Sequence, residues 1–295
     1  MKFGVCIPNY GATSSTESLS QVALEAERLG YDSVWTTDHL LMPRNSGTPY
    51  ERIYDSVATL AFIAAQTKKV RLGISSLIIA MRNPVAVAKQ LATIDSFSGG
   101  RTLLAIGAGW NEKEFGFVGS DFHDRGRRVD GSIRLIRSLW RGETKFEDER
   151  LPQRFQDAVF EPAPQRKDVE VWVGGTSDAA MKRSIKLGDA WHPNVFPMET
   201  FRPLVSRFRE LTGGKKVDVC VRIALDVRAE RAEYVGVQGD RRITLTGNMA
   251  ENIRVIDDLE ALGVSYAVLV PSPQGKTDTK DQLDSIGRFA EKFVA

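Results

Sequence analysis

Asp38 and His39 stand side by side at the end of an apolar, β-prone run, Ser33-Val34-Trp35-Thr36-Thr37. Histidine trades protons and hydrogen bonds near neutral pH, and a neighbouring carboxylate can set its orientation or charge. As catalytic residues the pair would face a bound reactant; as a surface turn they would be two solvated polar groups. Their place directly after a strand of buried type favours chemistry, because a β/α barrel puts its active site at the carboxyl ends of its strands.

Other strand ends carry small or polar residues. Gly107-Ala108-Gly109-Trp110 lets a ligand approach the backbone and offers a flat aromatic face, but it reads equally as a tight turn with a core tryptophan. It is not a Gly-x-Gly-x-x-Gly fingerprint, since Glu112 holds the third glycine position, so a Rossmann dinucleotide site has no support. Gly174-Gly175-Thr176-Ser177 ends a strand and opens a helix, which suits a phosphate; ordinary capping by Thr176 or Ser177 is the plainer alternative. Ser75 and Ser76 could admit a flat ring or could simply pack. His192, after Ala190-Trp191, reads as a substrate contact or as a satisfied turn residue. His123 lies in a charged stretch and reads as surface. Three histidines on separate elements, with no His-x-His and no Cys-x-x-Cys, offer no metal-ligand spacing. There is no Gly-x-Ser-x-Gly elbow. Lys215 and Lys216 open a strand rather than end one, which argues against a Schiff-base lysine.

The elements that must gather these groups alternate along the chain. Strand-like runs at 3–8, 33–37, 70–75, 102–107, 169–174, 190–192, 217–224 and 264–270 are separated by helix-like segments. Leu19, Val22, Ala23, Ala26 and Leu29 form one such helical stripe. The pattern predicts an α/β fold, a single (β/α)8 TIM barrel over 1–295 with insertions after strands 4 and 7 (142–168 and 226–248); a doubly wound open sheet is the alternative. The long segments read as binding lids or disordered stretches. The chain is 42% hydrophobic and 26% charged, as in a globular protein with a full core. A net charge of +2 without a long basic run gives no reason to expect nucleic acid as a partner. The longest apolar stretch, near Leu77–Met81, is too short to span a membrane, and no signal-peptide pattern opens the chain. Cys6 and Cys220 read as buried thiols, consistent with a cytoplasmic protein.

Taken in order, several short motifs resemble the bacterial luciferase-like family of flavin- and deazaflavin-dependent oxidoreductases, over nearly the whole chain. They are Phe3-Gly4-Val5-Cys6-Ile7-Pro8-Asn9-Tyr10-Gly11, Trp35-Thr36-Thr37-Asp38-His39, Asn83-Pro84, and Gly99-Gly100-Arg101 ahead of Gly107–Trp110. Phe160-Glu161-Pro162-Ala163-Pro164-Gln165, Val171-Trp172-Val173-Gly174-Gly175 and Gly188-Asp189-Ala190-Trp191 follow.

The resemblance implies a barrel that binds coenzyme F-420 (F420, an 8-hydroxy-5-deazaflavin) or FMN, and the Thr37-Asp38-His39 form is closer to the deazaflavin branch. It implies Asp38 and His39 as catalytic and cofactor-binding residues, with His39 near the reactive ring carbon. Ser75 and Ser76 would bulge beneath the ring through an unusual cis peptide. Gly107, Ala108, Gly109, Trp110, Gly174, Gly175 and Thr176 would hold the phosphate end. Tyr10, Met42, Trp191 and His192 are candidates for the substrate pocket. The expected reaction is hydride transfer between F420 and an unidentified small organic substrate; the expected assembly is a homodimer. The alternatives are a monooxygenase using reduced FMN and O2, and a flavin-binding protein without turnover. One departure stands out. Sugar-phosphate dehydrogenases of this branch carry a glutamate just after Gly-x-Gly, where this chain has Trp110. His39 is therefore expected to work without that carboxylate.

Overall fold

Nine parallel strands form the ring that the alternating pattern calls for. The computed structural model describes residues 1–166 and 169–294. In chain order the elements are β1 (Lys2–Cys6), α1 (Thr16–Arg28), β2 (Ser33–Thr36), α2 (Ser56–Gln66), β3 (Arg71–Ile74), β4 (Leu77–Ile78), α3 (Pro84–Ser98), β5 (Leu104–Gly107), α4 (Glu112–Phe117) and α5 (Arg125–Trp140). Then come β6 (Val171–Gly174), α6 (Asp178–Leu187), β7 (Ala190–His192), α7 (Met198–Thr212), β8 (Asp218–Leu225), β9 (Glu233–Val235), β10 (Arg241–Leu245), α8 (Met249–Ala261), β11 (Val264–Val270) and α9 (Thr279–Phe293). The strands run β3-β2-β1-β11-β8-β7-β6-β5-β4 around the barrel. A bridge between Leu72 and Thr102 joins β3 to the start of β5, with Leu72 donating to Arg101 O and Leu103 donating to Leu72 O, both at 2.8 Å. The expected third strand, 70–75, is β3; β4, which follows the turn at Ser75-Ser76, is a ninth strand that the sequence reading did not contain.

Strands buried on both faces read as continuous apolar runs, and all four residues of β2 are buried. Trp35 points into the barrel, where its ring meets Trp172 at 4.7 Å between centroids; Trp172 in turn meets Tyr266 edge-on at 5.0 Å. The neighbouring strands make room. A Cβ on Gly73 would lie 2.2 Å from the Trp35 ring, and one on Gly4 would lie 2.6 Å from its Nε1. Outside the ring, the helices begin where the sequence signals them. Ser15 and Ser18 form a capping box for α1, and Asn83 caps α3 with Pro84 in its first turn.

Two departures from the sequence reading concern the long segments. Residues 226–248 are not a simple lid: β9 and β10 pair antiparallel, and β10 extends the sheet beside β8 through Thr244–Ala224 and Leu245–Leu225. The buried residues Ile243, Thr244 and Leu245 drive this, but Arg241 and Arg242 before them mask a strand signal only three residues long. In the other segment, Phe146 and Phe155 exchange two backbone hydrogen bonds as a short hairpin; Asp168 at its end lies outside the described residues. Both cysteines are free and buried. No helix among the described residues is long and apolar enough to cross a membrane.

Candidate active site

The end of β2 is fixed before any ligand is considered. Asn9 holds Thr37 at both backbone atoms: its Nδ2 donates to Thr37 O (2.7 Å), and Thr37 N donates to its Oδ1 (2.8 Å). Beyond that clamp the two ionisable residues diverge. Asp38 accepts from Ser56 Oγ (2.7 Å), from the Ile78 amide (2.9 Å) and from Arg82 Nη2 (2.5 Å). Its side chain is fully buried, and Arg82 also pairs with Asp55 at 2.9 Å. So Asp38 ties β2 to β4 and α2, and it does not orient His39.

Glu114 orients His39. The Nδ1 of His39 meets Glu114 Oε2 at 2.7 Å, and the Leu40 amide donates to Glu114 Oε1 at 2.6 Å. Both side chains are almost completely buried. The imidazole stacks on Tyr50 at 4.5 Å between centroids and meets Trp110 edge-on at 5.8 Å. With Nδ1 committed, Nε2 is the ring's remaining polar atom, on a residue that lines the barrel-mouth cavity. Trp110 does stand where the carboxylate of the sugar-phosphate dehydrogenases would be, yet His39 has another one beside it. The carboxylate comes from α4, four residues beyond Trp110.

The cavity measures about 570 Å³. Ser76, Gly107, Ala108, Gly109 and Trp110 line one part of it, and Gly174, Gly175, Thr176 and Ser177 another. The Ser75-Ser76 peptide is cis, as the resemblance implied. Ser76 reaches the cavity, whereas Ser75 is wholly buried beneath it. Ser75 Oγ lies 2.8 Å from His192 Nε2, and His192 Nδ1 donates to Cys220 O at 2.6 Å. Burial, with the Arg222 charge adding to it, pulls the His192 pKa down to about 4, although the bond to Cys220 O opposes the shift. His192 is therefore neutral at pH 7: Nδ1 carries the proton and Nε2 accepts from Ser75. It holds the floor of the cavity and does not carry protons.

At the far end, Ser177 caps α6 by accepting from the Ala180 amide at 3.3 Å. The plain capping reading therefore holds for Ser177, while Thr176 and both glycines line the cavity. A Cβ on Gly174 would come within 3.2 Å of Ser76 Oγ, a tight approach, and Gly175 has φ +110°, a conformation that favours glycine. Arg125 and Arg183 line the same end; Arg183 pairs with Asp130. Amides at a helix start, hydroxyls and guanidinium groups are donor types that suit a phosphate.

A family model described as luciferase-like monooxygenase matches residues 1–269. The chain belongs to this family. Among curated relatives of this luciferase-like chain, an F420-dependent glucose-6-phosphate dehydrogenase from Amycolatopsis mediterranei is 31% identical over 183 residues, 59% of this chain and 52% of the relative. An FMNH(2)-dependent dimethylsulfone monooxygenase from Pseudomonas putida is 28% identical over 224 residues, 71% of this chain and 60% of the relative. The chain thus spans a little over half the length of these two relatives. The crystal structure of monooxygenase RslO1 from Streptomyces bottropensis superposes with a TM-score of 0.79 at 21% identity, covering 100% of this chain and 99% of that one. The luciferase-like barrel is thus a flavin- or deazaflavin-type oxidoreductase fold, with both cofactor classes among its relatives.

Some expected pocket residues of this luciferase-like chain lie elsewhere. Trp191 points away from the cavity: it stacks on Phe208 at 4.6 Å and donates to Gly175 O at 2.7 Å. An inward and an outward residue alternate along a strand, so with His192 inside, Trp191 faces α7. Met42 touches Asn111 through its sulfur at 3.9 Å and is absent from the cavity wall. Tyr10 lines a neighbouring cavity. His123 is exposed, 3.6 Å from Glu112. Sequence reasoning missed Glu114, Tyr50, Arg222, Arg125 and Arg183. Only Glu114 had a local signal: Asn111 caps α4 by accepting from the Glu114 amide, and Asn-x-x-Glu is capping-box spacing.

Proposed function

We propose that this chain transfers a hydride between coenzyme F420 and a small organic substrate, with His39 giving or taking the accompanying proton. The observation that carries the reading is the fixed imidazole: Nδ1 engaged by Glu114, the ring held by Tyr50 and Trp110, and Nε2 left for the cavity. The residues fit a flat ring with a phosphate-bearing tail. The Gly174-Gly175 turn would be filled by a Cβ, and Arg125, Thr176 and the start of α6 offer donors beside it. When bound, the deazaflavin supplies a ring carbon that accepts or donates the hydride.

The chain's own residues do the rest. Glu114 keeps the proton on Nδ1, so Nε2 can take a proton from a substrate heteroatom as the adjacent carbon is oxidised, and can return it in the reverse direction. Ser75, held by His192, sets the floor. Asp38 serves as an anchor through Arg82. Trp110 and Tyr50 flank His39 with aromatic surface and keep water from the ring.

Fluorescence titration of the purified protein, separately with F420 and with FMN, tests the reading. F420 binding followed by redox exchange with a member of an alcohol and ketone panel supports it. Tight FMN binding without F420 binding refutes it in favour of a reduced-flavin monooxygenase, the reading that the Pseudomonas putida relative favours. F420 binding without exchange across the panel leaves a binder without turnover.

A further inference from the structure

Arg222 carries a charge that the fold does not answer. It projects from β8 at the barrel mouth, half-buried. Among the described residues, two of its donors reach oxygen, Nη1 to Ser75 O (3.1 Å) and Nη2 to Thr37 Oγ1 (3.0 Å), and a third contact goes to the Cys6 thiol; all three partners are neutral. Cys6, Tyr10, Tyr50 and Tyr234 are among the groups around it, and among the described residues no carboxylate pairs with it. Arg82, Arg183 and Arg242 are each matched by a carboxylate, from Asp38, Asp130 and Asp240 respectively, while Arg125 at the α6 end lies over the Phe122 ring and donates to Phe122 O. A guanidinium has five donors in a planar fork, so Arg222 keeps donors free for a guest.

A second cavity of about 550 Å³ lies beside the first, and Tyr50, Arg222 and Arg242 line both. Tyr10, Tyr234 and Lys276 complete its polar and aromatic wall, and no aspartate or glutamate lines it. Tyr10 meets Tyr50 edge-on at 5.1 Å, and Tyr50 stacks on His39. An aromatic path therefore runs from the second cavity to the imidazole.

We infer that the second cavity is the substrate site and that the substrate is an organic carboxylate with a flat, apolar body. The carboxylate docks in the fork of Arg222, and the body lies against the three tyrosines with its reacting carbon toward His39. One guanidinium fork with neutral neighbours suits a singly charged, bidentate carboxylate. Arg242 in the same wall is committed to Asp240 and Lys276 is exposed, so the deep charge open to a guest is the single fork of Arg222, which matches a carboxylate better than a doubly charged phosphate. The place of the reacting carbon rests on the hydride-transfer reading, whereas the charge at Arg222 does not.

The test is calorimetric titration with benzoate and its neutral isostere benzamide, on the protein alone and on the protein loaded with F420. A charge-assisted, two-point contact should favour benzoate by about ten-fold or more. Arg222→Met should abolish that preference, and Arg222→Lys should keep part of it. The wild-type comparison needs no variant, so a variant that fails to fold does not remove the test. Equal binding of the two probes, absence of saturable benzoate binding, or a preference that survives in folded Arg222→Met overturns the inference. Competition between benzoate and F420 also overturns it, because Arg222 would then serve the cofactor. Failure to bind F420 would refute the hydride-transfer reading and still leave the benzoate preference readable on the protein alone.

Discussion

Replacing Glu114 by glutamine changes a single atom type, yet it forces the imidazole to answer. Both oxygens of Glu114 are acceptors, one for the Leu40 amide at 2.6 Å and one facing His39 Nδ1 at 2.7 Å. An amide side chain has one acceptor and one donor group. The Leu40 N–H can only donate, so the amide oxygen must stay with it and the amide NH2 must face Nδ1. His39 then relieves the donor–donor clash by shifting its proton to Nε2. A neutral ring protonated at Nε2 cannot take a proton from the substrate. General acid–base assistance is worth about 10²–10⁴ in rate, so kcat in the oxidative direction should fall by about 10²-fold or more, with F420 affinity unchanged. Losing a charge-assisted contact costs about 1.5–3 kcal/mol of stability, and the variant should still fold. Glu114→Ala strands both buried donors and should cost about 2–6 kcal/mol. Nitrogen-15 NMR of the imidazole reads the tautomer without a substrate, and steady-state F420 turnover reads kcat. A glutamine variant that keeps both the wild-type tautomer and the wild-type kcat refutes the role given to Glu114.

Three further outcomes follow from the geometry. With a folded pKa of about 4 for His192 against about 6.5 unfolded, the unfolded chain binds a proton between those values that the folded chain refuses. Stability from this group is therefore complete above pH 6.5 and falls by up to about 3 kcal/mol as pH drops towards 4; urea unfolding of wild type and His192→Asn at pH 7, 5 and 4 should show the difference narrowing, and parallel pH curves would count against it. Gly73→Ala puts a methyl 2.2 Å from the Trp35 ring and should cost about 3 kcal/mol or more, seen as a lower Tm or insolubility. Asp38→Asn breaks a buried ion pair with Arg82 and should cost about 3–5 kcal/mol while the folded fraction keeps its kcat; an intact Tm with lost turnover would restore a catalytic role to Asp38.

What was legible in the sequence is what a single element expresses locally. The Val34-Trp35 run, the Leu19–Leu29 stripe and the Asn83-Pro84 start each announce an element through periodicity or capping, and the barrel follows from their alternation. The glycine turns at 107–109 and 174–175 could be placed on the cavity for the same reason, since each ends a strand. The pairing of side chains from distant elements was not legible. Arg82 reaches Asp38 across 44 positions, and Arg222 reaches Ser75 across 147, and nothing in the spacing marks either. Strand β10 was hidden because two arginines precede its buried half. Trp191 and His192 are neighbours on one strand and point to opposite faces, so only one of these two pocket candidates can be inside.

The exchange at position 110 shows how this limit bears on mechanism. A carboxylate directly after Gly-x-Gly would stand beside the substrate as a second proton carrier. Here Trp110 takes that place and presents an aromatic edge to His39. The first turn of α4 instead brings Glu114 to the opposite side of the imidazole, at Nδ1. The spacing from Gly109 differs by only four residues, but the chemical consequence is large: this carboxylate polarises and orients the ring without reaching the cavity side. On the proposed hydride-transfer reading, proton exchange with the substrate then falls to His39 Nε2. For that reason His39→Ala should depress turnover without a residual bell-shaped pH profile from a second acid, and a persisting profile would point to another group in the cavity.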